Sequence, residues 1–300
     1  QTSFQARFLS SLRHPRMGSS SSTEAAFDAK LDSSCVAFVL HTSGVYGMKP
    51  DGTHVQINSE NWVNAKVALK TGDDEAVCFH HKRIYSLRLR GDAGYKTLND
   101  DCGWACAKAA IRSPAHPESI VVIHDFGVYS VNLEDGRNVQ LANDRWNLTK
   151  AAVYDPDTGT AVLVHDWGLY RINLEDGAYT KLSSEKWAQT KAATYVSEGS
   201  ALVFHDFGIY RVTLADGVWT KINSESWTQT KAAVSSTEGN VLCIHDHGIF
   251  SVNAADGTYT KVNNETWINA KAVCPMGPNA FASSWVVALQ QPHNQYTGQY

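Results

Sequence analysis

Short apolar runs alternate with clusters of Asp, Gly, Asn and Ser along most of this chain, and the pattern changes about every 8 to 12 residues. That period belongs to strands and tight turns, not to helices. Around His165 the pattern predicts a first strand at 150–154, a turn at Asp155-Pro-Asp-Thr-Gly159 and a second strand at 160–164. His165-Asp-Trp-Gly168 makes a tight connection to a third strand at 169–174, and the Glu175-Asp-Gly177 turn leads to a fourth at 178–182. Gly177 suits this hairpin because it tolerates positive φ.

The same unit recurs. HDFGVYSVNLEDG from His124, HDWGLYRINLEDG from His165, HDFGIYRVTLADG from His205 and HDHGIFSVNAADG from His245 align almost without gaps, at intervals of 41, 40 and 40 residues. Looser copies begin at His41 and His81, and Trp62, Trp104, Trp146, Trp187, Trp227 and Trp267 keep the same beat. A four-stranded meander cannot bury both faces alone, so copies of it must pack face to face around an axis. The expected fold is therefore all-β, a single β-propeller of four-stranded blades.

Blade number follows from the lysine, followed by Ala in most copies and by Val at Lys66, that starts each first strand. It recurs at Lys66, Lys108, Lys150, Lys191, Lys231 and Lys271, with a looser match at Lys30. Seven starts predict seven blades within one domain of residues 1–300. Residues 1–23 form a basic arm whose segment 3–12 closes the last blade, residues 24–270 hold six recognisable repeats, and 271–300 form a partial last blade with a strand at 280–289. Six blades with end extensions is the alternative.

In a meander of this kind the second-to-third and fourth-to-next-first connections share one face. That face collects the His-Asp-aromatic-Gly turns and the segments carrying the repeated Trp, and is where a ligand would be read. The candidate contacts are His124, Asp125 and Trp146; His165, Asp166 and Trp187; His205, Asp206 and Trp227; and His245, Asp246 and Trp267. The same residues could instead satisfy one another by hydrogen bonding and pack blade against blade, with the repeated Lys lining the channel mouth.

Composition narrows the function. A formal net charge of −4 provides no global basic field for nucleic acid, and the longest apolar runs, such as 36–40, fall far short of the span a membrane helix needs. Histidines on separate blades cannot share one ion, so no metal or other cofactor is expected. No nucleophile elbow, His-Glu-x-x-His helix or phosphate loop occurs, and repetition of one chemistry speaks against a single active site. Of the six cysteines, Cys78 and Cys243 lie in apolar runs and suit small buried hydrophobes, while Cys102 and Cys106 are close enough for a local disulfide. Arg7, Arg13 and Arg16 in an acid-free, serine-rich start resemble an organellar targeting peptide. Compartment stays open between secreted and cytoplasmic.

The phrase Gly-[Leu/Ile/Val]-Tyr-x-[Val/Ile]-Asn-x-x-Asp-Gly-x-x-x-Lys-[Leu/Ile], followed by a spaced Trp, resembles the units of tectonin-type lectin propellers over residues 35–275. The Trp lies in the interblade connection here, whereas the family places it within a strand. The resemblance implies the propeller fold and a lectin-like role, and it transfers no site residues. The expected function is that of a non-enzymatic binding protein for glycans or glycoproteins, with weak repeated sites gaining through avidity. The alternative is a scaffold that binds protein partners within a larger assembly.

Overall fold

A computed structural model describes residues 25–26, 34–89, 94–100, 102–236, 239–276 and 285–287. It is a six-bladed β-propeller. Blade 2 comprises Ala65–Lys70, Glu75–His80, Arg83–Arg88 and Gly94–Asn99, and Ala25–Ala26 pairs along its outer edge. Blade 3 comprises Ala107–Ile111, Ser119–His124, Gly127–Asn132 and Asn138–Ala142, and blade 4 Thr149–Asp155, Thr160–His165, Gly168–Ile172 and Tyr179–Ser183. Thr190–Ser197, Ser200–His205, Gly208–Thr213 and Trp219–Asn223 form blade 5; Thr230–Ser235, Asn240–His245, Gly248–Asn253 and Tyr259–Asn263 form blade 6.

Blade 1 is built from both ends of the repeat region, and this corrects the expectation of seven. Its three outer strands are Ala37–His41, Gly44–Met48 and His54–Asn58, and its innermost strand is Ala270–Pro275, with Val39 opposite Val273. The first and seventh units are thus one blade. The Lys271 strand fills the place expected of the Lys30 segment, so the ring closes at six, the alternative reading of the sequence, and Ala270–Pro275 belongs to blade 1. Trp285–Val287, expected in that blade, instead pairs antiparallel with Ala151–Val153 on the axial edge of blade 4, near the innermost strands of all six blades. Lys30 and the proposed closing strand at 3–12 lie outside the described residues.

The innermost strands share a Lys-[Ala/Val]-[Ala/Val] pattern because six strands converge on the axis and leave room only for small side chains. Ala151, Ala152, Ala192, Ala193, Ala232 and Ala233 are fully buried there. The second strands are apolar through their middles, since both of their faces lie inside the sheet stack: Leu202, Val203 and Phe204 of blade 5 are buried. In blade 5 the third strand buries Gly208, Ile209 and Val212, and the outermost strand Trp219–Asn223 is exposed over its first three residues. Blade contacts are also polar at the rim, where the Asn99 side-chain amide donates to the Gly136 carbonyl at 2.8 Å and Asn223 donates to Gly257 at 3.1 Å.

One irregularity recurs in all six blades. Between first and second strands the register slips by one residue, as where Thr149 faces His165 but Ala151 faces Val164. The unpaired extra residue is Lys66, Lys108, Lys150, Lys191, Lys231 or Lys271. A bulge of this kind re-aims its side chain, which is how a lysine one residue away from a buried alanine reaches the turn face.

Candidate functional site

The turn face is organised by the four-residue connection His-Asp-aromatic-Gly. Its geometry starts from the glycine. Gly168 has φ of +145°, and a Cβ placed on it would lie 2.0 Å from the Ser183 carbonyl oxygen of the neighbouring strand. Gly127, Gly208 and Gly248 repeat the conformation, and in blade 1 Gly44 does so. Only glycine permits both that φ and that approach.

The histidine closes the other side of the turn. Nδ1 of His165 accepts the backbone N–H of Trp167 at 3.2 Å, and His124, His205 and His245 accept from Phe126, Phe207 and His247 at 3.3 Å each. His124, His165 and His205 are buried and His245 is partly so, and burial first of all holds the pKa of each below the usual histidine value. The neutral ring is the form that can accept the turn amide. In blade 3 the other nitrogen is also engaged, with His124 Nε2 3.0 Å from the Gly103 carbonyl oxygen.

The aspartates pair with the bulged lysines. Lys108–Asp125, Lys150–Asp166, Lys191–Asp206 and Lys231–Asp246 form ion pairs of 3.0, 3.0, 3.1 and 2.9 Å within blades 3 to 6. Thr42 and His81 occupy the aspartate position in blades 1 and 2, so the ring of six lysines carries four carboxylates. Lys66 and Lys271, on those two adjacent blades, have pKa values pulled below the usual lysine range, chiefly by burial and then by neighbouring lysines.

The six repeated tryptophans are buried at 3% exposure each. Trp62, Trp146, Trp187, Trp227 and Trp267 each start a turn, as where the Thr149 N–H donates to the Trp146 carbonyl at 3.0 Å, while Trp104 lies within the short 3-10 helix Cys102–Cys106; each ring lies edge-on against the histidine or tyrosines of the blade it precedes. Trp146 meets His165, Tyr170 and Tyr179 at centroid distances of 6.0, 5.5 and 4.9 Å. Trp227 also reaches back to Phe204 of blade 5 at 5.4 Å, bridging two blades. The structure therefore gathers His124 with Trp104, His165 with Trp146, His205 with Trp187 and His245 with Trp227, while Trp267 packs on His41 and His54 of blade 1.

What stands outermost on this face is the third residue of the turn. Phe126, Trp167 and Phe207 are 58%, 61% and 61% exposed at equivalent places on three consecutive blades, each directly after the paired aspartate. They lie outside the expected contact set. The signal was present in the motif itself, because a residue between a paired Asp and a positive-φ Gly has no sheet neighbour and must point to solvent.

Among the cysteines, Cys106 touches this face, its thiol hydrogen-bonding Asp125 and its carbonyl accepting the Asp125 N–H at 3.3 Å. Cys78 and Cys243 are fully buried free thiols, burial pushing the thiol of Cys243 up to about 12, and Cys106 is also free, so the local bridge to Cys102 is not formed. No helix among the described residues is long and apolar enough to cross a membrane.

No protein-family model matches the chain, and no curated protein matches it in sequence. Solved structures do match in shape. A chain in the crystal structure of a nidogen/laminin complex superposes with a TM-score of 0.66 at 8% identity, over 81% of this chain and 98% of that one. TolB from Acinetobacter baumannii gives 0.60 at 15% identity over 81% of this chain and 67% of its own. The extracellular domain of the one-component system BT4673 from B. thetaiotaomicron gives 0.53 at 12% identity over 82% of this chain, which spans only 34% of that protein. Identities this low establish the propeller fold alone.

Proposed function

We propose that this protein is a non-enzymatic binding protein that recognises glycans in a lectin-like, multivalent manner through its turn face. The observation that carries this reading is the row of exposed rings Phe126, Trp167 and Phe207, each beside a Lys–Asp ion pair. An exposed aromatic face packs against the C–H side of a sugar ring, and an adjacent carboxylate and ammonium suit its hydroxyls. The buried tryptophans form the floor that holds these turns at fixed spacing. Each site is shallow and weak, and repetition on one rigid disc converts weakness into avidity on a glycan-bearing surface. The resemblance of the repeat to tectonin-type units points the same way. A glycan array tests the reading: binding of a defined glycan class, lost in the Phe126→Ala, Trp167→Ala, Phe207→Ala triple variant, is expected, and an array without any binding would end it.

A protein-binding scaffold is the second reading, favoured by the presence of Val63 and Ile268, 42% and 53% exposed, in the same set of connections. Together with the three rings they spread apolar surface over five blades, and aromatic anchors dominate protein interfaces. A chain of similar fold occurs in a nidogen/laminin complex. A stoichiometric partner that co-purifies and is released by the same triple variant would favour this reading over the first.

A further inference from the structure

Five of the six blades cover their tryptophan with a ring from the fourth strand. Tyr95 lies 5.3 Å from Trp62, Tyr179 4.9 Å from Trp146, Trp219 6.0 Å from Trp187, Tyr259 5.1 Å from Trp227 and His54 5.1 Å from Trp267, all edge-on. Four of these rings are also latched to the acid two residues before the tryptophan. The Tyr95 hydroxyl bonds Glu60, the Tyr179 hydroxyl donates to Asp144 at 3.5 Å, Tyr259 donates to Glu225, and His54 Nε2 lies 3.3 Å from Glu265.

Blade 3 carries other residues at both positions. Asn138 stands where the covering ring belongs, and Cys102 stands where the acid belongs, two residues before Trp104. A cleft of about 270 Å³ opens there, lined by Gly103, Trp104, His124, Phe126, Tyr129 and Asn138. Its floor keeps the geometry of the other blades, with Trp104 6.1 Å from His124 and 6.0 Å from Tyr129. Its rim is the exposed Phe126, tilted 5.5 Å from His124. An apolar cavity of about 150 Å³ is enough to take a benzene ring.

We infer that the blade 3 cleft is a binding site for one aromatic ring, phenol- or indole-like, taken from outside in place of the ring that every other blade supplies from its own fourth strand. The internal rings show the pose: all five lie edge-on to the tryptophan, and the four latched ones direct their polar atom toward the connection before it. The occupant is either a free small aromatic or the side chain of a Tyr or Trp on a peptide, and both offer the same chemistry. The inference does not rest on the glycan reading, although the two meet at Phe126, which is one of the three turn rings and also the rim of this cleft.

The test uses ligand-observed NMR titrations of the full chain with p-cresol, 3-methylindole, N-acetyl-tyrosinamide and methyl pyranosides. One saturable site for the aromatic probes is expected, and preference for N-acetyl-tyrosinamide over p-cresol would mark a side chain as the natural occupant. Asn138→Tyr installs the ring found elsewhere and should weaken p-cresol binding at least tenfold. Tyr179→Asn, which removes a half-exposed ring and so leaves the core of blade 4 intact, should raise the stoichiometry from one to two. Unchanged p-cresol binding in Asn138→Tyr, no second site in Tyr179→Asn, or binding of pyranosides in preference to the aromatic probes would overturn the inference.

Discussion

Trp167 and Trp187 are the same residue type 20 positions apart, and the account assigns them opposite roles. Trp187 is 3% exposed and lies edge-on to His205, Tyr210 and Trp219 at 6.2, 5.4 and 6.0 Å. Three ring contacts at about 0.5–1.5 kcal/mol each sit on top of the area term, and removal of a buried Trp side chain costs about 3–5 kcal/mol in all. With a urea slope of about 3 kcal/mol/M, Trp187→Ala should lower the denaturation midpoint by about 1 M or more. Trp167 is 61% exposed and touches the fold mainly through His165, at 5.6 Å. Its replacement by Ala should change stability by no more than about 0.5 kcal/mol while reducing ligand binding. Urea melts followed by far-ultraviolet circular dichroism, alongside binding to an immobilised ligand, separate the two. The reasoning fails if Trp167→Ala melts as early as Trp187→Ala, or if Trp187→Ala keeps full stability and loses binding.

Other outcomes follow from the same geometry. Gly168→Ala should cost more than about 3 kcal/mol, strain at positive φ adding to a 2.0 Å clash, whereas Gly159→Ala, at φ of +69° with nothing within 4 Å of the added Cβ, should cost about 1 kcal/mol; thermal melts of the pair check this. Asp166→Asn leaves Lys150, 13% exposed, without its carboxylate, and should cost about 2 kcal/mol, between the values for exposed and buried pairs. His41, His80, His124, His165, His205 and His245 all have folded pKa values lowered by burial, His80 to about 4. The unfolded chain therefore binds more protons below the usual histidine value of about 6.5. Stability from these groups is complete above that pH and is lost as pH falls toward the folded values, so Tm should decline steadily between about pH 6.5 and 4 at constant ionic strength. A flat profile across that window would contradict the assigned role of the neutral rings.

Much of this fold was legible in the sequence because the repeat is local: each strand, turn and glycine in blades 3 to 6 answers to residues within one period. Blade number was not legible in the same way. The strand at Lys271 looks like the start of a further unit, and its pairing with Ala37–His41 spans nearly the whole chain, so no local pattern announces that two partial units are one. The bulged lysines were hidden for a related reason. A one-residue slip shows only in pairing register, and the Lys–Asp pairs follow from it. The aspartate was visible as a turn residue, but its partner was not. The cleft on blade 3 needed both levels, since Asn138 is unremarkable until the rings at its five equivalent positions are seen to cover a tryptophan.

The central claim is that the exposed turn residues, not the buried tryptophans, make the contacts. It is tested most directly by measuring avidity for an immobilised array-identified glycan across the single, double and triple alanine variants of Phe126, Trp167 and Phe207, with urea midpoints recorded for each. The account predicts a stepwise fall in avidity with each ring removed, at nearly constant stability. A triple variant that binds like the wild type would contradict it.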